Sequence, residues 1–211
     1  MTDVSKRICV QDATGFGGPV SVTRSGRGMN LKPPAYLMLG MLRLGARSGY
    51  AIKKAADVST RFFWPTSLAQ VYPELARLER QGLVTRRADP QGGRARSAYE
   101  ITGEGEAALV AWLSSSREAP LKFRDEGVLR LFFADALPGD DQLALVRRLR
   151  ERAQGAKAHM RSEIVPLAEA LEEADARFPA VVARLGADTY EYAEQWLARL
   201  EAQLEDERRS D

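Results

Sequence analysis

The chain has 211 residues, 45% of them apolar and 28% charged, enough to build one domain or two small ones around a real core. It has no apolar run of the roughly 18 residues that a membrane span needs, and its start lacks the basic-then-apolar order of a secretory signal. Cys9 is its single cysteine, which rules out a disulfide within the chain and makes the cytoplasm the expected location, with no membrane partner. The net charge of +2 hides a division: residues 31–105 carry twelve basic against six acidic side chains, and residues 106–211 carry fifteen against twenty-one. A basic segment of that kind suits a polyanion, and the acidic remainder is left for another task.

In chain order, residues 1–30 are rich in Gly, Ser, Thr and Asp without a sustained period, and read as a disordered arm. Met29 is an alternative start, so residues 1–28 need not be translated. From Pro34 the pattern turns helical, with Tyr36 to Leu42 apolar nearly all round, as in a helix buried inside a small domain. Ser48 is placed to cap a second helix from Gly49 to about Ser59. After the Phe62-Phe63-Trp64-Pro65 cluster, Thr66 or Ser67 opens a third helix, and Ser67 with Gln70 has capping-box spacing. Leu68, Val71, Leu75 and Leu78 would line its buried side, with Gly82 ending it. Residues 83–87 and 98–102 read as a β-hairpin around a turn that carries Arg94 and Arg96. Thr102 then caps a fourth helix.

The remainder reads as helical: a strongly apolar segment from Asp125 to Leu137, and a long helix capped by Asp140 that runs towards Ala174 and is broken or kinked at Pro166. A last helix starts near Pro179, in which Ala193, Leu197, Leu200 and Leu204 step 4-3-4, with Trp196 widening the stripe. That is the seam spacing of paired helices, and it makes these five residues the expected dimerisation surface. The fold class is therefore mainly α with a small β-hairpin: a winged helix-turn-helix plus a C-terminal helical dimerisation domain. The expected boundaries are 1–30 for the arm, 31–116 for the winged helix and 117–211 for the helical domain.

Leu39-Gly40, Ser48-Gly49-Tyr50-Ala51-Ile52, Val71-Tyr72-Pro73-Glu74-Leu75, Leu78-Glu79, Gly82-Leu83-Val84 and the wing exit Tyr99 to Gly105 together resemble the PadR family of bacterial transcriptional regulators. Arg124-Asp125-Glu126, Leu131-Phe132-Phe133 and Gly186 to Leu200 continue the likeness, which covers roughly residues 34–204. The resemblance implies an N-terminal winged helix, pairing through the C-terminal helices, and a homodimer on double-stranded DNA with an inverted-repeat operator. It also implies a repressor released by a small-molecule effector, phenolic acids serving one branch of the family and cationic drugs another. A winged-helix protein-interaction module without DNA binding is the alternative reading.

A recognition helix reads base edges from its N-terminal half, which here offers Ser67, Gln70 and Tyr72. Gln70 could form the two-bond pair with adenine, or Ser67 and Gln70 could simply cap the helix. Arg94 and Arg96 at the wing tip suit phosphate or minor-groove contact. Tyr50, Lys53 and Lys54 lie on the helix that crosses the phosphate backbone. Trp64, Phe123, Phe132 and Tyr190 are candidates to line an effector pocket, each with core packing as the alternative. No cofactor, metal or catalytic residue is expected. His159 is the single histidine, Cys9 lies in the arm, and the paired carboxylates Asp125-Glu126 and Glu172-Glu173 point to different sides of a helix.

Overall fold

The computed structural model describes residues 31–89, 96–116, 124–172 and 176–210. The expected arm, the wing tip with Arg94, and Phe123 lie outside the described residues. The chain divides between Arg117 and Glu118 into two compact units.

The first unit is assembled around α1 (Pro33–Arg43), whose Ala35, Tyr36, Met38, Leu39, Met41 and Leu42 are all buried. Prolines at its first two positions need no amide hydrogen there, which is why the helix starts where it does. Next comes α2 (Gly49–Asp57), where Ser48 Oγ accepts the Ala51 N–H at 3.1 Å, the expected cap. It stops two residues earlier than its pattern suggests and is followed by a single 3-10 turn, Thr60–Phe62. The third helix, α3 (Leu68–Arg80), buries Val71, Leu75 and Leu78 completely. Leu68 departs from the expected stripe: it is 39% exposed, because as the first helical residue it lies beyond the reach of the core.

Gly82, at φ 73°, ends α3 and turns the chain into the hairpin. Strands β1 (Val84–Asp89) and β2 (Arg96–Ile101) pair antiparallel from Val84 opposite Ile101 to Asp89 opposite Arg96. They reach further towards the tip than residues 83–87 and 98–102, since Ala88 and Asp89 still find backbone partners across the ladder. The Tyr99 N–H donates to the Arg47 carbonyl at 2.8 Å, which ties β2 to the segment before α2. The base of the wing is closed by Thr102, whose N–H donates to Leu83 O at 3.1 Å and whose Oγ1 donates to Gly82 O at 2.8 Å. Thr102 Oγ1 also accepts the Gly105 N–H at 3.1 Å, capping α4 (Gly103–Leu113). Here a glycine is required: a Cβ on Gly105 would lie 2.1 Å from the Leu83 carbonyl oxygen, a backbone atom that cannot move aside. Trp112 of α4 stacks flat on Tyr36 of α1 with ring centroids 4.5 Å apart.

The second unit contains α5 (Glu126–Phe132), a 3-10 turn (Ala134–Ala136), α6 (Gly139–His159), a π-helical turn (Met160–Ile164), α7 (Val165–Glu169) and α8 (Phe178–Ser210). Asp125 caps α5 by accepting the Gly127 and Val128 N–H groups at 2.7 and 3.1 Å. Asp140, expected as a cap, instead lies in the first turn of α6 with Asp141, while Pro138 occupies the cap position. Both acids remain where the helix dipole favours negative charge. Before Pro166 the expected long helix takes a π-helical turn between α6 and α7, without leaving the helical conformation. Pro166 lacks an N–H and its ring crowds the carbonyl four residues back, and the turn just before it widens to a π-helix.

The core of this unit is the pairing of α6 with α8. Val146 and Ala153 of α6 are buried against Leu197, with Ala193, Leu200 and Leu204 packed around them. A ladder of ion pairs flanks this apolar seam. Glu201 accepts from Arg147 at 2.7 Å and Arg150 at 2.8 Å, Glu205 pairs with Arg147, and Glu191 with Arg161. Glu194 accepts from Lys157 and, at 3.0 Å, from Gln154. Cations on α6 facing acids on α8 favour one antiparallel register.

The hydrogen bond from Arg147, then that from Arg150, holds the Glu201 carboxyl below its ordinary pKa of 4.5, and Lys157 followed by Gln154 does the same for Glu194. A carboxyl with a lowered folded-state pKa contributes stability that is complete above its ordinary value and is lost as pH falls below it. Thermal unfolding of the second unit is therefore expected to move to lower temperature as pH drops beneath about 4.5. The double variant Glu194→Gln/Glu201→Gln should be less stable at neutral pH and should lose less on acidification. An equal acid loss in both proteins would show that other groups carry it.

Candidate nucleic-acid interface

The orientation of α3 follows from its buried side. With Val71, Leu75 and Leu78 in the core, Ala69, Gln70, Tyr72, Pro73 and Arg80 are exposed. Pro73 stands inside the helix on this exposed side, so the carbonyl it leaves unpaired, that of Ala69, can bond to water. Ser67 lies at the exposed start of the helix and Gln70 three residues on. The Gln70 side-chain oxygen accepts the Ser67 N–H at 3.0 Å and the Ser67 hydroxyl at 3.3 Å, and the Thr66 hydroxyl approaches at 3.5 Å. Of the two roles open to this pair, capping is the one formed in the free chain.

Tyr72 packs against the start of α2. A Cβ on Gly49 would meet the Tyr72 ring at 2.6 Å, so the ring lies directly over that glycine while the side chain stays about half exposed. This contact joins the first turn of α2 to the N-terminal half of α3. On α2 itself, Tyr50 is 65% exposed and Lys54 is exposed with no ion pair among the described residues. Lys53 is only partly exposed and is paired with Asp57 one turn on, so its charge is already engaged.

Arg96 stands at the tip end of β2, opposite Asp89. Behind it the wing has further cations that the sequence pattern does not single out. Arg86 donates to Ser97 Oγ at 2.7 Å, and Arg87 is 3.7 Å from Glu100 across the ladder. Arg47 and Arg80 are also exposed. Arg61 lies over the Phe62 ring, 5.1 Å from its centroid. The net positive charge of residues 31–105 is the signal for this wider set, but it does not say which arginines face outwards.

Residues 38–111 match the model of the PadR-like family of transcriptional regulators, and residues 123–205 match that of the C-terminal region of virulence activator alpha. Over its N-terminal half the chain is thus similar to the PadR-like family of transcriptional regulators. It is 34% identical over 103 residues to the negative transcriptional regulator PadR of Bacillus subtilis strain 168. That match covers 48% of this chain and 57% of the relative, so the sequence likeness spans little more than half of the curated protein. The fold of the family extends further. The Bacillus subtilis PadR structure in complex with operator DNA superposes with a TM-score of 0.69 at 23% identity, covering 81% of this chain and 98% of that one. The same protein in complex with p-coumaric acid gives 0.64 at 22% identity, covering 83% and 98%. The Vibrio cholerae virulence activator AphA gives 0.61 at 26% identity, covering 82% and 98%.

The other sequence candidates fall in different surroundings. Trp64 of the first unit is 40% exposed. In the second unit Phe132 is 77% exposed and meets Phe133 edge to face at 5.0 Å, while Tyr190 is half-buried. Of the expected dimer seam, Ala193, Leu197, Leu200 and Leu204 all pack against α6 of their own chain, and Leu197 is only 8% exposed. Trp196 lies off that seam, 41% exposed. The 4-3-4 spacing is real, but it marks a helix pair within one chain.

The Gly49–Tyr72 contact lends itself to a double-mutant cycle. Gly49→Ala is expected to cost about 1–2 kcal/mol in chemical denaturation, by overpacking against the ring. In a Tyr72→Ala background the same change should cost little, because the obstructing ring has gone. Additive losses would mean that the ring does not hold this position.

Proposed function

We propose that this chain is a homodimeric transcriptional regulator whose winged helices bind an inverted-repeat operator in double-stranded DNA, with repression relieved by a small-molecule effector. The observation that carries the reading is the exposed N-terminal half of α3, with Ser67, Gln70 and Tyr72 on a surface flanked by Tyr50, Lys54 and the arginine-bearing wing. Ser67, Gln70 and Tyr72 are assigned to base edges or adjacent phosphates, and Tyr50, Lys54, Arg94 and Arg96 to the backbone. Lys53 joins them by giving up its bond to Asp57. The DNA-bound and p-coumaric acid-bound forms of the Bacillus relative support both halves of the reading. Repression follows the curated relative's name. Phe132 and Tyr190 are the effector-pocket candidates of the second unit, and Trp64 is that of the first. The protein acts by binding rather than by catalysis, in the cytoplasm, and no helix among its described residues is long and apolar enough to cross a membrane. Residues 31–116 are assigned to the DNA-binding domain and 117–211 to the helical dimerisation domain.

For the dimer, α8 has a second apolar stripe besides the one spent on α6. Phe178, Val181, Val182, Leu185, Tyr192 and Trp196 recur at helical spacing and are all more than 40% exposed. On α5, Val128, Leu129 and Phe132 are exposed as well. Large apolar side chains grouped along one helix face mark a surface that pairs with another protein, and we assign it to the second subunit.

Replacing Arg94 and Arg96 by Ala should weaken binding to duplex DNA and flatten its salt dependence, by roughly 0.9 in log–log slope for each phosphate no longer neutralised. An unchanged slope would remove the wing from the interface. Leu185→Glu combined with Trp196→Glu should give a folded monomer in sedimentation, whereas Leu197→Glu should unfold the second unit because it buries a charge in the α6–α8 seam. A persistent dimer in the first variant would place the main contact elsewhere.

A further inference from the structure

The state of the Gln70 carboxamide has a consequence for which base it can read. The Ser67 N–H can only donate, so it fixes which end of the carboxamide turns back to the helix start: the oxygen. That oxygen also takes the Ser67 hydroxyl at 3.3 Å and the Thr66 hydroxyl at 3.5 Å. A carbonyl oxygen has two lone pairs, and three local donors already converge on it. The nitrogen end, with two N–H donors, is what remains, on an exposed side chain in the N-terminal half of α3.

Resting on the DNA-binding reading above, we infer that Gln70 is a donor-only specificity residue, held so by Thr66 and Ser67, and that it selects a base with acceptors on its major-groove edge, guanine above all. Guanine offers N7 and O6, both acceptors, to the two N–H groups. Adenine offers N7 but sets its N6 amino group, a donor, beside it. The two-bond glutamine–adenine pair needs the side-chain oxygen, which the helix start has taken. Cytosine presents an amino donor and is rejected on the same ground, while thymine offers one acceptor, O4, and ranks second to guanine. Thr66 and Ser67 thereby act on the choice that Gln70 makes by holding its oxygen: towards that choice they are positioning residues.

The discriminating variant is Gln70→Glu. It keeps an oxygen for the Ser67 N–H, so the helix start stays capped, and it replaces the outward donors by an acceptor. Duplexes selected from a random pool by the full-length protein would define the site, and a panel with each base pair changed in turn would then be titrated with both proteins. At one position in each half-site, the native protein should bind guanine at least about fivefold more tightly than adenine. Gln70→Glu should lose that order and turn to the amino-bearing bases cytosine or adenine there, with preferences elsewhere unchanged. Circular dichroism checks that the variant is folded. Adenine preferred by the native protein at the Gln70-dependent position would overturn the inference, as would identical preferences of both proteins at every position. Failure of the native protein to bind any duplex would overturn it together with the proposed function.

Discussion

Val71, Leu75 and Leu78 have one place to go, the core built on α1, and their burial decides which way α3 faces. Each fully buried Leu is worth about 1.5–3 kcal/mol relative to exposure, so rotating the helix by half a turn would forfeit most of what holds the first unit together. The polar surface is thereby set by the apolar one. Gln70 and Tyr72 are exposed because their neighbours in sequence are not. The wing is anchored to the same core through Leu83, Val84 and Tyr99, and Thr102 with Gly105 closes its base against the Leu83 carbonyl. α3 and the wing thus share one foundation.

The second unit solves a different problem with one helix. Across its 33 residues α8 has two apolar stripes, one consumed by α6 and the other left exposed. The consumed stripe is bordered by the acids that meet α6's cations, and so it is specified by charge as well as by shape. The exposed stripe has large side chains, among them Phe178, Leu185, Tyr192 and Trp196. α8 thus has one side packed within its own chain and another that stays exposed.

Much of the architecture is legible in the sequence because it depends on local physics. Ser48, Thr102 and Asp125 cap helices since their side-chain oxygens reach the exposed N–H groups of the next turn. Gly82 ends α3 because only a residue tolerant of positive φ suits that position. Buried and exposed sides of α3 follow from 3.6-residue spacing, except at Leu68, where the pattern has no means of knowing where the core stops. The seam on α8 shows the limit more clearly. Its spacing announces a partner helix, but the same spacing serves a partner from the same chain or another, and the α6 cations that choose between them lie some forty to sixty residues away in sequence.

Local pattern by itself determined that this is a winged helix joined to a helical region, that positive charge gathers on the first and negative on the second, and where α3 begins. Tertiary structure alone decided two further things. It spent the 4-3-4 stripe on α6 of the same chain and laid the Tyr72 ring over Gly49. The physical reason is common to both. Periodicity states that a group must be satisfied, by burial or by a hydrogen bond, but which of several competent partners satisfies it depends on distances that exist only once the chain has folded.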